Sequence, residues 1–249
     1  MKLSVIVPAY NREQYIGSAL RSLLRQRDEA DIDIVVVDDG STDGTVHLVR
    51  ELMRDNPSIR LFSQAHMGVA AARNTGLRHV LPETELISFL DSDDISPPGR
   101  FNTDLRYFYS DRSVELTYSW LLQADAFDEE TLEPAAGCDQ KIYRGVQLGA
   151  GIFRRQFIEA IKGFDTGFVQ SEDTDFLFRV FERNPRYILP ETISVYYRKH
   201  RDSLTARLTE MRREFMRACH KSMMRRKADP SLGFMPDLIQ MDPSMRGKV

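Results

Sequence analysis

Three short β-branched runs, each stopping at a polar cluster, set the strongest limit on what this chain can fold into. Residues 3–7 lead into "PAYN" (Pro8 to Asn11), residues 32–37 into "DDGSTDGT" (Asp38 to Thr45), and residues 86–90 into "DSDD" (Asp91 to Asp94). Apolar runs of this length read as strands buried on both faces. Helical spacing fills the gaps, over residues 13–27, 45–54 and 69–80, with a further strand at 59–62. Strands alternating with helices, without hairpin signals, predict right-handed βαβ units and a mostly parallel sheet. In such sheets the ligand crevice lies beyond the carboxyl ends of the strands, where all three clusters fall.

The second half is less regular. Pro97 and Pro98 open a predicted helix to residue 110, a strand is expected at 114–118, and residues 123–145 read as polar loop. Further expectations are a strand at 151–153, helices at 155–161 and 171–184, and a strand at 194–199. A basic amphipathic helix over 204–226 places Leu204, Leu208, Met211, Phe215 and Cys219 on one face, to be packed inward, and a weakly ordered tail follows. With 249 residues, 42% of them hydrophobic, the chain suffices for one α/β domain. Its net charge of −3 implies no nucleic-acid partner. Cys138 and Cys219 read as reduced thiols, and no apolar run suffices for a signal sequence or a membrane span, so a cytoplasmic location is expected.

The chemistry of the clusters narrows the ligand. Asp91, Asp93 and Asp94 repel one another unless water solvates them or a positive group sits among them. Asp91 and Asp93, two apart in extended chain, point to one side and offer hard oxygen ligands for Mg²⁺ or Mn²⁺. Asp39 can accept from a nucleobase or ribose. No G-x-x-x-x-G-K-[ST], G-x-G-x-x-G after a strand, or H-E-x-x-H is present, and the EF-hand-like "DGSTDG" has Arg50 where a bidentate Glu is required. Two alternatives stay open: an aspartate-dependent phosphohydrolase with Asp91 as nucleophile and Asp93 as acid, and a non-catalytic nucleotide-sugar-binding or assembly module.

"SVIVPAYNREQYIGSALRSLLRQ", "DIVVVDDGSTDGT", "GVAAARNTGL", "ISFLDSDD" and "SEDTDFLFRV" resemble, in order and at ordinary spacing, the motifs of the family 2 inverting glycosyltransferases with the GT-A fold. The resemblance covers about residues 2–200. It implies a Rossmann-like, mostly parallel sheet flanked by helices. Residues 1–94 would bind the nucleotide-sugar, 95–203 would form the acceptor-binding and catalytic half, and 204–249 a helical tail. Pro8, Tyr10 and Asn11 would line the base pocket, Asp39 would contact the base, and Arg73 would lie near the diphosphate. Asp91, Ser92 and Asp93 would hold the ribose and a divalent metal, with His200 as a further metal or diphosphate contact. Asp173 would be the catalytic base and Glu172 would support the acceptor side; read without the resemblance, Asp173 is an ordinary acid at a helix N-terminus. The chain lacks the membrane spans and Q-x-x-R-W motif of the processive synthases, which implies transfer of one sugar, or a few, from a UDP-sugar to a glycan or lipid-linked acceptor. Residues 205–227 carry eight Lys or Arg against two Glu. They read as an exposed helix or as a peripheral contact with the inner membrane face.

Overall fold

In the computed structural model, which describes residues 1–199, 208–238 and 240–241, side-chain alternation in two strands decides which helices cover which side of the sheet. Strands β1 (Lys2–Ala9) and β2 (Asp31–Asp38) run parallel, with Leu3 opposite Ile32 and Ala9 opposite Asp38. Successive side chains point to opposite faces. Ile6, Val35 and Val37 therefore enter one core, and Val5, Val7, Ile34 and Val36 the other. Helices α1 (Ile16–Leu24), α2 (Thr45–Asp55) and α4 (Arg100–Ser110) cover the second core. The first is covered by α3 (Val69–Arg78), α5 (Arg155–Ile161) and α6 (Glu172–Glu182).

Strand β1 continues through Pro8, where the sequence suggests a stop. Pro8 shares the parity of Ile6, whose carbonyl accepts from Leu90, so its missing N–H would face β4 (Thr84–Phe89). That ladder ends at the Ile6–Phe89 pair, and no donor is needed there. On the other side Ala9 still accepts from the Asp39 amide at 2.8 Å.

The remaining strands of the central sheet are β3 (Ile59–Ser63), β5 (Leu116–Tyr118), β8 (Gly151–Arg154) and β9 (Tyr187–Ile188), in the order β3-β2-β1-β4-β8-β5-β9. Only β8 runs against its neighbours. A second sheet has the order β10-β6-β7-β11, formed by β6 (Trp120–Ala124), β7 (Gln140–Arg144), β10 (Ile193–Arg198) and β11 (Gln240–Met241). The expected loop over 123–145 is thus corrected in part. Strand β7 reads as loop because Ile142 and Tyr143 are its only large apolar residues, and long-range pairing with β6 supplies what local pattern lacks. The tail is corrected too, since Leu238 is buried in the main core and Gln240 pairs with Arg144.

Helix α7 (Leu208–Ala228) is turned partway from the expected facing, with Met211 and Cys219 of that face half-buried. Glu214, Ala218 and Ser222 are buried, whereas Phe215 is 38% exposed; Leu204 lies outside the described residues. The neighbouring helix explains this. Glu182 and Asp175 of α6 are buried acids, and Ser222 and Arg225 bind them. An unpaired buried carboxylate costs more than an exposed Phe or Met, so ion pairing orients the helix.

Helix α3 approaches β1 closely at Gly76, where a Cβ would stand 2.4 Å from Ile6 Cγ2. Gly76→Ala is expected to cost about 1–3 kcal/mol by urea unfolding, and with Ile6→Ala, which removes the Cγ atoms it meets, the double variant should lose less than the sum of the two single losses.

Candidate active site

Register brings the polar clusters together, because Ala9 lies beside Asp38 and Ile6 beside Phe89. Pro8 is buried in β1, and the chain turns at Asn11, whose φ of 50° lies in the left-handed region that Asn tolerates. The Asn11 amide donates to Ser41 Oγ at 3.0 Å, and its Oδ1 accepts from the Thr42 amide at 2.8 Å. One residue, by its amide and its side chain, thus pins the loop after β1 to the loop after β2.

Asp39 is 2% exposed and fully engaged. Its Oδ1 accepts from Gln64 Nε2 at 2.7 Å and the Met67 amide at 2.9 Å. Oδ2 accepts from the Gly68 amide at 2.8 Å and lies 2.9 Å from His66 Nδ1. The His66 ring stacks on Tyr10, with centroids 4.0 Å apart and planes at 24°. A base contact at Asp39 therefore requires the half-exposed His66 to give way. Gly40, at φ +82°, lets this loop close, since a Cβ there would meet the His66 amide nitrogen at 3.0 Å.

The acids after β4 have three different environments. Arg73 of α3 is 3% exposed and bridges Asp91 Oδ1 at 2.7 Å and Glu172 Oε1 at 2.5 Å. Burial alone would lower the guanidinium pKa, but Asp91, Glu172 and Asp173 outweigh it and raise it. Asp93 pairs with Arg12 Nε at 3.3 Å. Asp94 is 1% exposed and accepts from Gln147 Nε2 and the Arg198 amide, each at 3.0 Å. Burial first, then Asp93 and Asp91, holds its pKa well above the usual carboxylate range. Ser92 is buried between them. The repulsion within "DSDD" is thus relieved by two arginines and by burial of one acid.

Asp173, in the first turn of α6, joins this cluster. The turn is preceded by Ser171 at φ 61°, a left-handed residue that aims the helix N-terminus inward. Burial raises the Asp173 pKa to about 7, with Glu172 adding and Arg73 opposing. A carboxylate raised to about 7 by burial is suited to proton transfer, while its place in the first turn of α6 also fits an acid at a helix N-terminus.

Residues 4–122 match the family model for Glycosyl transferase family 2. That segment, just under half of the chain, is similar to the family 2 glycosyltransferases. The chain is 35% identical over 117 residues to the chondroitin synthase of Escherichia coli, covering 47% of this chain and 17% of that protein. It is 26% identical over 219 residues to the minor teichoic acid biosynthesis protein GgaA of Bacillus subtilis, covering 82% of this chain and 49% of GgaA. The chain thus spans half or less of the length of these relatives. In shape it matches the S. aureus TarS fragment 1-349 in complex with UDP-GlcNAc, with a TM-score of 0.73 at 22% identity, over 90% of this chain and 66% of that one. The mannosyltransferase PcManGT from Pyrobaculum calidifontis, in complex with GDP-Man and Mn²⁺, matches at 0.68 and 21% identity, over 89% of this chain and 64% of its own. These likenesses establish that the chain has the GT-A fold.

Three contacts escape sequence reading. Arg12 reaches Asp93 across 81 positions, and His66 meets Tyr10 across 56. Arg198 ends β10 by donating Nε to the Asp93 carbonyl at 3.2 Å and Nη1 to Glu129 at 2.9 Å, so the second sheet closes onto the acid loop. Its place in "YYRKHRDSLT" was the available signal. His200 lies outside the described residues. Among the described residues no three His, Cys, Asp or Glu gather as a metal cage. Asp91 and Asp93 nonetheless fit a small hard cation that takes few protein carboxylates and fills its shell with water and phosphate oxygens.

Unfolded, Asp173 has an ordinary pKa of 3.8, below its folded value of about 7. Its stabilising contribution is therefore complete below pH 3.8 and is lost as pH rises toward 7. Asp173→Asn should gain several degrees of Tm over the native chain at pH 8, and little at pH 4, by scanning calorimetry.

Proposed function

We propose that the protein is a metal-dependent inverting glycosyltransferase moving one sugar from a UDP-sugar to a hydroxyl of a glycan or lipid-linked acceptor. The observation that carries this is Asp173, raised to about 7 and set against the Arg73–Asp91–Glu172 cluster at the carboxyl ends of the sheet. A sugar hydroxyl is a poor nucleophile at neutral pH, and a carboxylate near this pKa is suited to remove its proton as it attacks. UDP-GlcNAc in TarS and GDP-Man with Mn²⁺ in PcManGT support a nucleotide-sugar donor.

Each residue then has a task. Residues 1–94 hold the donor and 95–203 the acceptor. Tyr10 offers its ring to the base, with His66 swinging aside and Asp39 keeping the Met67 and Gly68 amides fixed. Arg73, locked by Asp91 and Glu172, holds a positive charge near the diphosphate without needing to reorganise. Glu172 also fixes the direction of α6 and so the place of Asp173. Asp91 and Asp93 would hold the divalent cation, Mg²⁺ or Mn²⁺, which supplies charge stabilisation to the departing diphosphate. Arg12 leaves Asp93 when it does so. The anomeric carbon would invert, since the hydroxyl served by Asp173 would attack it opposite the departing diphosphate.

Titration calorimetry of UDP with Mn²⁺ and with chelator tests the donor site. Binding should need the metal and weaken at least about tenfold in Asp93→Asn. No binding of UDP, GDP or dTDP under either condition would overturn the reading. Asp173→Asn should keep UDP affinity and lose transfer by about 10²–10⁴. In the native chain the transfer rate should rise with pH through about 7, because only the ionised Asp173 accepts the proton. A flat profile from pH 6 to 8 would remove Asp173 from the base role.

A further inference from the structure

Helix α7 binds the body of the protein by its polar side and leaves an apolar and cationic side open. Both of its acids sit on or beside the inner face: Glu214 is buried, and Glu210 lies four residues before it. Several of its cations are also consumed inward, Lys221 on Asp165, Arg217 on the Gly167 carbonyl and Arg225 on Asp175 and Glu182. On the opposite side Arg212, Met216, Met223 and Lys227 follow one another at spacings of four, seven and four, which sets all four on one stripe. Met216 is 65% and Met223 52% exposed. Arg212 and Lys227 are exposed and form no ion pair among the described residues. Beside the stripe's end Phe234 is 75% exposed, with the Arg226 guanidinium 4.1 Å above its ring.

We infer that this stripe is a docking surface for an anionic lipid bilayer. Two exposed methionines about two turns apart, ended by long cationic side chains, can sink their thioethers below the headgroups while the cations reach the phosphates. A second copy of the chain fits poorly. Antiparallel pairing of two stripes would set Arg212 against the partner's Lys227 at both ends, and like charges across an interface disfavour the contact. The inference stands on α7 alone and is independent of the transferase reading.

The test is flotation of the full chain with vesicles of phosphatidylcholine containing about 30% phosphatidylglycerol, and with phosphatidylcholine alone, at about 0.1 M salt. The native chain should float with the anionic vesicles and stay behind with neutral ones. The pairs Met216→Ser/Met223→Ser and Arg212→Gln/Lys227→Gln should each lower partitioning at least about fivefold. Tyr109→Ser, at an exposed site on α4, should change nothing. All these positions are on the surface, and unchanged circular dichroism verifies that the variants fold. No flotation of the native chain, equal flotation with neutral vesicles, or flotation indifferent to both pairs would overturn the inference. So would a concentration-dependent dimer abolished by the methionine pair, which would assign the stripe to self-association.

Discussion

A guanidinium buried among carboxylates governs the arrangement of this molecule. Arg73 stands on α3, Asp91 follows β4, and Glu172 and Asp173 open α6, so one side chain ties three elements that are remote in sequence. A buried charge is tolerable only when paired, and breaking one partner is far costlier than the pair is stabilising. The bridge is therefore weak evidence of stability but a strong constraint on geometry. It sets the direction from which α6 enters and keeps Asp173 within the field of the other acids.

That field explains the chemistry of the site better than any single residue. Five acids converge: Asp91 and Glu172 are settled by Arg73, Asp93 by Arg12, Asp94 by burial with Gln147 and the Arg198 amide, and Asp173 by holding its proton to about pH 7. Asp91 and Asp93 keep part of their side chains in solvent. The buried Asp94 instead acts as a post to which β10 is tied.

The second sheet and α7 show the same logic at a distance. Arg198 also lies over the rings of Tyr15 and Phe127, so charge and aromatic contact together draw β10 and the 125–139 segment over the acid loop. That segment is fastened to α1 from outside, where Ser18 donates to Glu129 and Arg25 to the carbonyl of Thr131. Helix α7 is turned by Glu182 and Asp175 against the preference of its own apolar residues. In each case a buried or half-buried carboxylate selects the partner, and apolar packing follows.

The sequence by itself determined the parallel β1–β4 half, because burial on both faces leaves a nearly continuous apolar run that reads directly as strand. It also located the polar clusters at the strand ends, since pattern and position coincide there. Tertiary structure alone decided that Pro8 stays within β1, that residues 140–144 become a strand, and that α7 shows Met216 and Met223 outward. These depend on which neighbour supplies or withholds a hydrogen bond or a charge. It also decided that Asp39 is saturated by Gln64, Met67, Gly68 and His66, and that Arg12 and Arg198 meet the acids after β4. Such contacts link residues dozens of positions apart, and local periodicity carries no information about them.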